Sequence, residues 1–160
     1  MIKRSAMAMF IDTAAGGAGT PEWSLVGKGV SDMSIAYNPQ TRTEQDITED
    51  TAQTDVTGYQ PNAPVTQTAK KGDAVYDFVN ELRRKRAVFE DCETDALVVD
   101  LYDGEAESGY KAEKQRVSIQ IDSYGGAGTD PLSIGYTINF KGDPVSGTFK
   151  PDTQTFTEDT

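Results

Sequence analysis

The residues able to do chemistry in this chain are few. Histidine is absent from its 160 residues, and Cys92 is its one cysteine. Without imidazole, a base or shuttle titrating near neutral pH has no ordinary carrier. Cys92 stands in Glu90-Asp91-Cys92-Glu93, where surrounding negative charge disfavours the thiolate that a nucleophile needs. It is read as a plain small side chain, and one cysteine makes neither an internal disulfide nor a zinc spacing. Carboxylates are plentiful in Asp46-Ile47-Thr48-Glu49-Asp50 and Asp100-Leu101-Tyr102-Asp103-Gly104-Glu105. Neither run has the complete spacing of a calcium loop, and no pair is marked out for glycosidic acid/base work. Two glycine-rich stretches, Gly16-Gly17-Ala18-Gly19-Thr20-Pro21 and Gly125-Gly126-Ala127-Gly128-Thr129-Asp130-Pro131, invite comparison with phosphate loops. Each runs into proline, with no Lys-Ser or Lys-Thr after its last glycine, so they are read as strand connections. The expectation is a non-enzyme with no catalytic residue, no metal and no cofactor.

Charge narrows the partners. Asp and Glu number 26 against 15 Lys and Arg, a formal net charge of -11. Such a surface repels phosphates, which argues against a protein that sequesters nucleic acid. No stretch approaches the roughly 20 apolar residues of a membrane-spanning helix, so no membrane partner is expected. The start, Met1-Ile2-Lys3-Arg4 before an apolar run to Ile11, faintly resembles an export signal. Asp12 ends that run early, and the segment is read instead as a first strand or arm.

The elements that must carry these residues are mostly strands. Hydrophobic content is 36%, enough for one core in one domain spanning 1–160, with an N-terminal arm over 1–22. Period-two alternation recurs at Met33, Ile35 and Tyr37, at Val117, Ile119 and Ile121, and at Leu132, Ile134, Tyr136, Ile138 and Phe140. Ala96 to Tyr102 is a more continuous apolar run, as a central strand requires. Val65–Ala69, Val145–Phe149 and Thr153–Thr157 add shorter strands, with Gly142-Asp143-Pro144 predicted to bend a hairpin and Gly27-Lys28-Gly29 a turn. One helix interrupts them. Val75, Phe78, Val79 and Leu82 recur at helical spacing and form its packing face, Asp73 is placed to cap it, and Arg83-Arg84-Lys85-Arg86 suits its negative end. The polar stretch 40–64 is too long for a simple connection and is predicted to be an extended hairpin or loop.

In order along the chain stand Trp23-Ser24-Leu25-Val26-Gly27-Lys28-Gly29-Val30, Asn38-Pro39, Glu49-Asp50, Gly72-Asp73-Ala74-Val75-Tyr76-Asp77-Phe78, Tyr110-Lys111-Ala112-Glu113-Lys114, Ser123-Tyr124-Gly125-Gly126 and Gly142-Asp143-Pro144-Val145-Ser146-Gly147-Thr148-Phe149. This ordered set resembles the major tail tube proteins of long-tailed, siphovirus-type bacteriophages and covers nearly the whole chain. The resemblance implies a mainly β fold, an antiparallel β-sandwich or half-barrel with one flanking amphipathic helix and a long hairpin. It implies hexameric rings of identical subunits, stacked into a hollow conduit for DNA in the virion and made in the host bacterial cytoplasm. The partners it implies are other copies of the chain, a tape-measure protein, tail-end proteins and DNA in transit. Thr43, Glu44, Asp46, Ile47, Glu49, Asp50, Val56 and Tyr59 on the hairpin are then the candidate subunit or ring interface. The inner tube of a contractile tail or secretion machine is a related alternative. A β-sandwich carbohydrate-binding module is a second, with Trp23, Tyr59, Tyr102, Tyr110 and Tyr124 as platform candidates.

Overall fold

The computed structural model describes residues 1–14 and 20–159. The glycine-rich stretch at 16–19 lies outside the described residues. One large antiparallel sheet organises the chain. Its strands are β1 (Met7–Asp12), β2 (Trp23–Leu25), β5 (Asn62–Thr68), β6 (Glu93–Glu105), β7 (Gly109–Gly125), β8 (Ser133–Lys150) and β9 (Thr155–Glu158). They run in the order β2-β1-β6-β7-β8-β5, with β9 paired to the far end of β8. Between β2 and β5 in sequence, β3 (Pro39–Glu44) and β4 (Gln53–Tyr59) form a separate two-stranded sheet. The one α-helix among the described residues, α1 (Ala74–Lys85), follows β5. The architecture is therefore a curled half-barrel with a flanking helix, and not two large sheets packed face to face.

The alternation of side chains sorts the residues of this sheet. Met9 and Ile11 pair with Val98 and Ala96 of β6, and Thr94 pairs with Val117 of β7, which pairs with Phe140 of β8. These residues share the face on which α1 packs, together with Ala63, Val65, Ile119, Ile134, Tyr136 and Ile138. The helix contributes Val75, Tyr76, Val79 and Leu82, all buried, while Phe78 is partly buried against the same cluster. Full burial of each aliphatic side chain is worth roughly 1.5–3 kcal/mol. The opposite face has a smaller core at one end only, formed by Trp23, Leu97, Val99, Ala112 and Phe149. Ala96 to Val99 is a continuous apolar run because both faces of β6 are covered there.

Two segments differ from the expectation. Gly142-Asp143-Pro144 does not turn a hairpin, because β8 continues through it from Ser133 to Lys150. Arg116 pairs with Lys141 and Lys114 with Val145, so Gln115 alone faces Gly142, Asp143 and Pro144, two residues more than the register needs. The result is a bulge, where Gly142 has φ 69 and its carbonyl accepts from Gln115 Nε2 at 2.8 Å. A bulge also tolerates Pro144, which has no N–H to give a ladder. Met33–Tyr37 makes isolated bridges, Met33 to Val65 and Ala36 to Asn62, and no full strand. Asn62 exchanges both backbone bonds with Ala36 and Thr68 N–H reaches Gly29 O, so the even residues of β5 point their amides outward. Pro64 falls in that phase and withholds the donor between the two bridges. Within the N-terminal segment 1–22, read as a first strand or arm, Met7–Asp12 form an inner strand between β2 and β6.

Candidate functional site

Asp73 caps α1, accepting Tyr76 N–H at 3.1 Å through Oδ2. The same oxygen accepts from Gln67 Nε2 at 2.9 Å, and that amide also donates to Lys28 O at 3.0 Å. On its other side Gln67 Oε1 accepts from the Tyr136 hydroxyl at 3.0 Å. Gln67 is fully buried, so this chain of bonds fastens helix, turn and sheet from inside. Burial, and after it the charge of Asp73, pushes the Tyr136 hydroxyl well above its ordinary pKa and keeps it a donor. The network is structural: its groups are mutually satisfied, Gln67 and Tyr136 are buried, and Asp73 stands partly exposed at the start of the helix. Gln67 sits in phase with Ala63 and Val65, buried neighbours on β5, and that phase is the sequence signal that marks it as internal.

Cys92 is buried against the Phe89 carbonyl at 3.2 Å and the Ser118 hydroxyl at 3.3 Å. Among the described residues no group of three or more His, Cys, Asp and Glu is arranged to hold a metal, and no helix is long and apolar enough to cross a membrane.

The uncovered part of the sheet, on the face away from α1, is polar and self-bonded. Asp122 accepts from Gln120 and from Thr137, each at 2.6 Å, and Asn139 donates to Gln120 at 3.2 Å. Beside this ladder Glu93 pairs with Lys141 and with Arg116, and Arg116 reaches Asp95 at 3.4 Å. The bond from Lys141, chiefly, and the attraction of Lys141 and Arg116 hold the Glu93 carboxyl below its ordinary pKa, against the opposing effect of burial.

The β3–β4 hairpin is the opposite kind of surface. Every residue of β3 is exposed and β4 is exposed except at Gly58. Thr43 bonds Thr54 across the ladder at 3.0 Å, and Glu44 pairs with Arg42. Asp46, Ile47, Glu49 and Asp50 form the tip, which is closed by Glu49 N–H to Asp46 O at 3.0 Å. Val56 is 56% and Tyr59 62% exposed, with Tyr59 edge-on to Tyr37 at the hairpin base. All eight candidate interface residues thus lie on one projecting element. An isolated two-stranded hairpin is marginal in water, and this one offers apolar groups that the described residues leave mostly uncovered. Val75, Phe78, Val79 and Leu82 lie elsewhere, on the inner side of α1.

A curled antiparallel sheet with one helix on its inner-core face and a long projecting hairpin is the tail tube fold. Two solved structures share it over nearly their whole length. One is a chain from the tail of an empty GTA particle refined with helical, C6 symmetry, at TM-score 0.62 and 14% identity, covering 90% of this chain and 97% of that one. The other is from the virion of a native gene transfer agent particle, at TM-score 0.61 and 12% identity, covering 98% and 99%. A chain of a contractile injection system's sheath-tube complex aligns at TM-score 0.48 and 11% identity over 92% of each chain. No family model matches the sequence, and no curated protein matches it.

Proposed function

We propose that the chain is the repeating subunit of a phage-type tail tube, a non-catalytic virion protein that assembles with copies of itself into rings and stacks them as a conduit for DNA. The observation that carries this is the end-to-end fold match to a tail subunit arranged with C6 symmetry. Six-fold rings are the corresponding expectation here. Surface chemistry agrees with the reading. The hairpin projects apolar and acidic groups suited to contacts with other copies, while the open sheet face is a hydrogen-bonded polar ladder. A wall of that kind, in a chain of net charge -11, holds DNA weakly because it offers few cations to displace counterions from phosphate. Tape-measure and tail-end proteins complete the assembly in this reading.

Negative-stain microscopy of the purified chain after concentration, with its size-exclusion mass, tests the proposal. Rings or hollow tubes of uniform width are expected. A chain that stays monomeric at high concentration would overturn it, and one that also binds a defined glycan would favour a carbohydrate-binding module.

A further inference from the structure

We infer that the hairpin tip of one copy docks into an apolar groove beside β1 and β2 of another, with Ile47 as the anchor and the Lys3/Arg4 segment as the charge partner. The inference rests on the tube reading and names the surface that receives the hairpin. The groove holds about 600 Å³ and is lined by Met7, Phe10, Leu25, Val26, Val30 and Met33. A second concavity of about 310 Å³ adjoins it, and Arg4, Met7 and Met33 line both. Leu25 on its wall is 51% exposed. Arg4 donates to the carbonyls of Met7 and Met33, each at 3.0 Å, and among the described residues no carboxylate pairs with it. A guanidinium held in place without a counter-charge is ready for an acidic partner.

The tip has the complementary form. Ile47 is 104% exposed, as free of contacts as a side chain can be, and Asp46, Glu49 and Asp50 flank it. Asp32 on the groove wall and Asp100 in the adjoining concavity oppose such an approach, so the acids must meet Arg4 on its side away from both. A chain of net charge -11 repels its own copies and needs a local cationic receiver to associate. The other cationic patch, at the end of α1, is less suited. Arg83 is bound to Asn80 and lies 3.9 Å over the Tyr124 ring, and Arg84 pairs with Glu81. Tip and groove are different surfaces, so the contact is head-to-tail and each copy both gives and receives, as an extending assembly requires.

The test mixes full-length chains carrying Ile47→Cys with chains carrying Leu25→Cys under mild oxidation and looks for a disulfide-linked heterodimer, with the wild-type chain as control for Cys92. The expected result is that heterodimer. In parallel, Ile47→Asp should raise the concentration needed for assembly by at least about tenfold, since an apolar anchor is replaced by a charge. Arg4→Glu should weaken assembly and Arg4→Glu with Asp46→Lys should restore it. Tubes that form normally in Ile47→Asp, or wild-type tubes whose cysteine variants assemble without the cross-link, overturn this docking site and leave the tube reading intact. A wild-type chain that never associates removes both.

Discussion

Gln67 is the residue whose replacement the structure prices most fully. Gln67→Leu keeps much of the side-chain volume while removing one acceptor and two donated bonds. The Tyr136 hydroxyl is then buried without a partner, which costs about 1–2 kcal/mol, and Asp73 loses one charge-assisted bond worth about 1.5 kcal/mol, for a total near 3 kcal/mol. Tyr136→Phe leaves only the Gln67 oxygen unpaired and should cost about 1.5 kcal/mol. In the double variant the orphaned hydroxyl is gone, so its cost should be about 2 kcal/mol against a sum of singles near 4.5, a coupling of about 2.5 kcal/mol. Urea unfolding of the unassembled subunit, followed by the fluorescence of its single tryptophan, Trp23, measures all four corners of the cycle. Trp23 lies in the smaller core across the sheet, so its signal reports the whole subunit and not the altered site. Additive single and double variants, or a Gln67→Leu chain as stable as wild type, would show that the buried bonds do not tie helix to sheet as argued.

Two further outcomes follow from local geometry and charge. Gly29→Ala places a Cβ 2.8 Å from the Thr68 carbonyl oxygen at φ +83, whereas Gly72→Ala at φ +97 meets nothing within 4 Å. Gly72→Ala should therefore cost about 1 kcal/mol and Gly29→Ala clearly more, about 2–3 kcal/mol, in the same urea assay; equal losses would refute the steric argument. Because the Glu93 carboxyl is lowered in the folded chain, its contribution is complete above the ordinary value of 4.5 and is lost as pH falls through the lowered folded value. Lys141→Ala removes the principal cause, so the Glu93 carboxyl signal in NMR should titrate at higher pH in that variant, and an unmoved midpoint would count against the pairing.

The legible parts of this fold were those fixed by periodicity. Val117, Ile119 and Ile121 and the alternation from Ile134 to Phe140 put the right residues on the inner face of two neighbouring strands. The α1 face and its Asp73 cap follow from spacing and side-chain chemistry that need no distant partner. What sequence alone obscured depends on a partner strand. Gly-Asp-Pro has the same local preferences in a turn and in a bulge, and only the single Gln115 opposite decides between them. Met33–Tyr37 alternates correctly, yet the missing N–H that breaks its ladder belongs to Pro64 on another strand. At the candidate site, the stretch holding Ile47, Val56 and Tyr59 stood out by its length and polarity. The groove did not, because Met7, Leu25 and Met33 come from three separate segments.

The distribution of exposed apolar groups bears on assembly more than their number does. A sheet covered by a helix on one face normally presents its other face to water or to a second layer. Here a second core covers one end of that face, and the remainder, at Gln120, Asp122, Thr137 and Asn139, spends its hydrogen bonds on itself. Such a surface gains little from contact with another protein. Ile47, Val56, Tyr59 and Tyr37 instead gather on the hairpin and at its base, Leu25 lies at the groove, and Val88 and Phe89 are exposed together ahead of β6. Association driven by apolar burial would therefore engage the hairpin, the β1–β2 margin and the Val88–Phe89 corner and leave the polar sheet face free. That division of labour is what a hollow tube demands, since its subunits must adhere along their flanks while the wall of the channel stays inert to what passes through it.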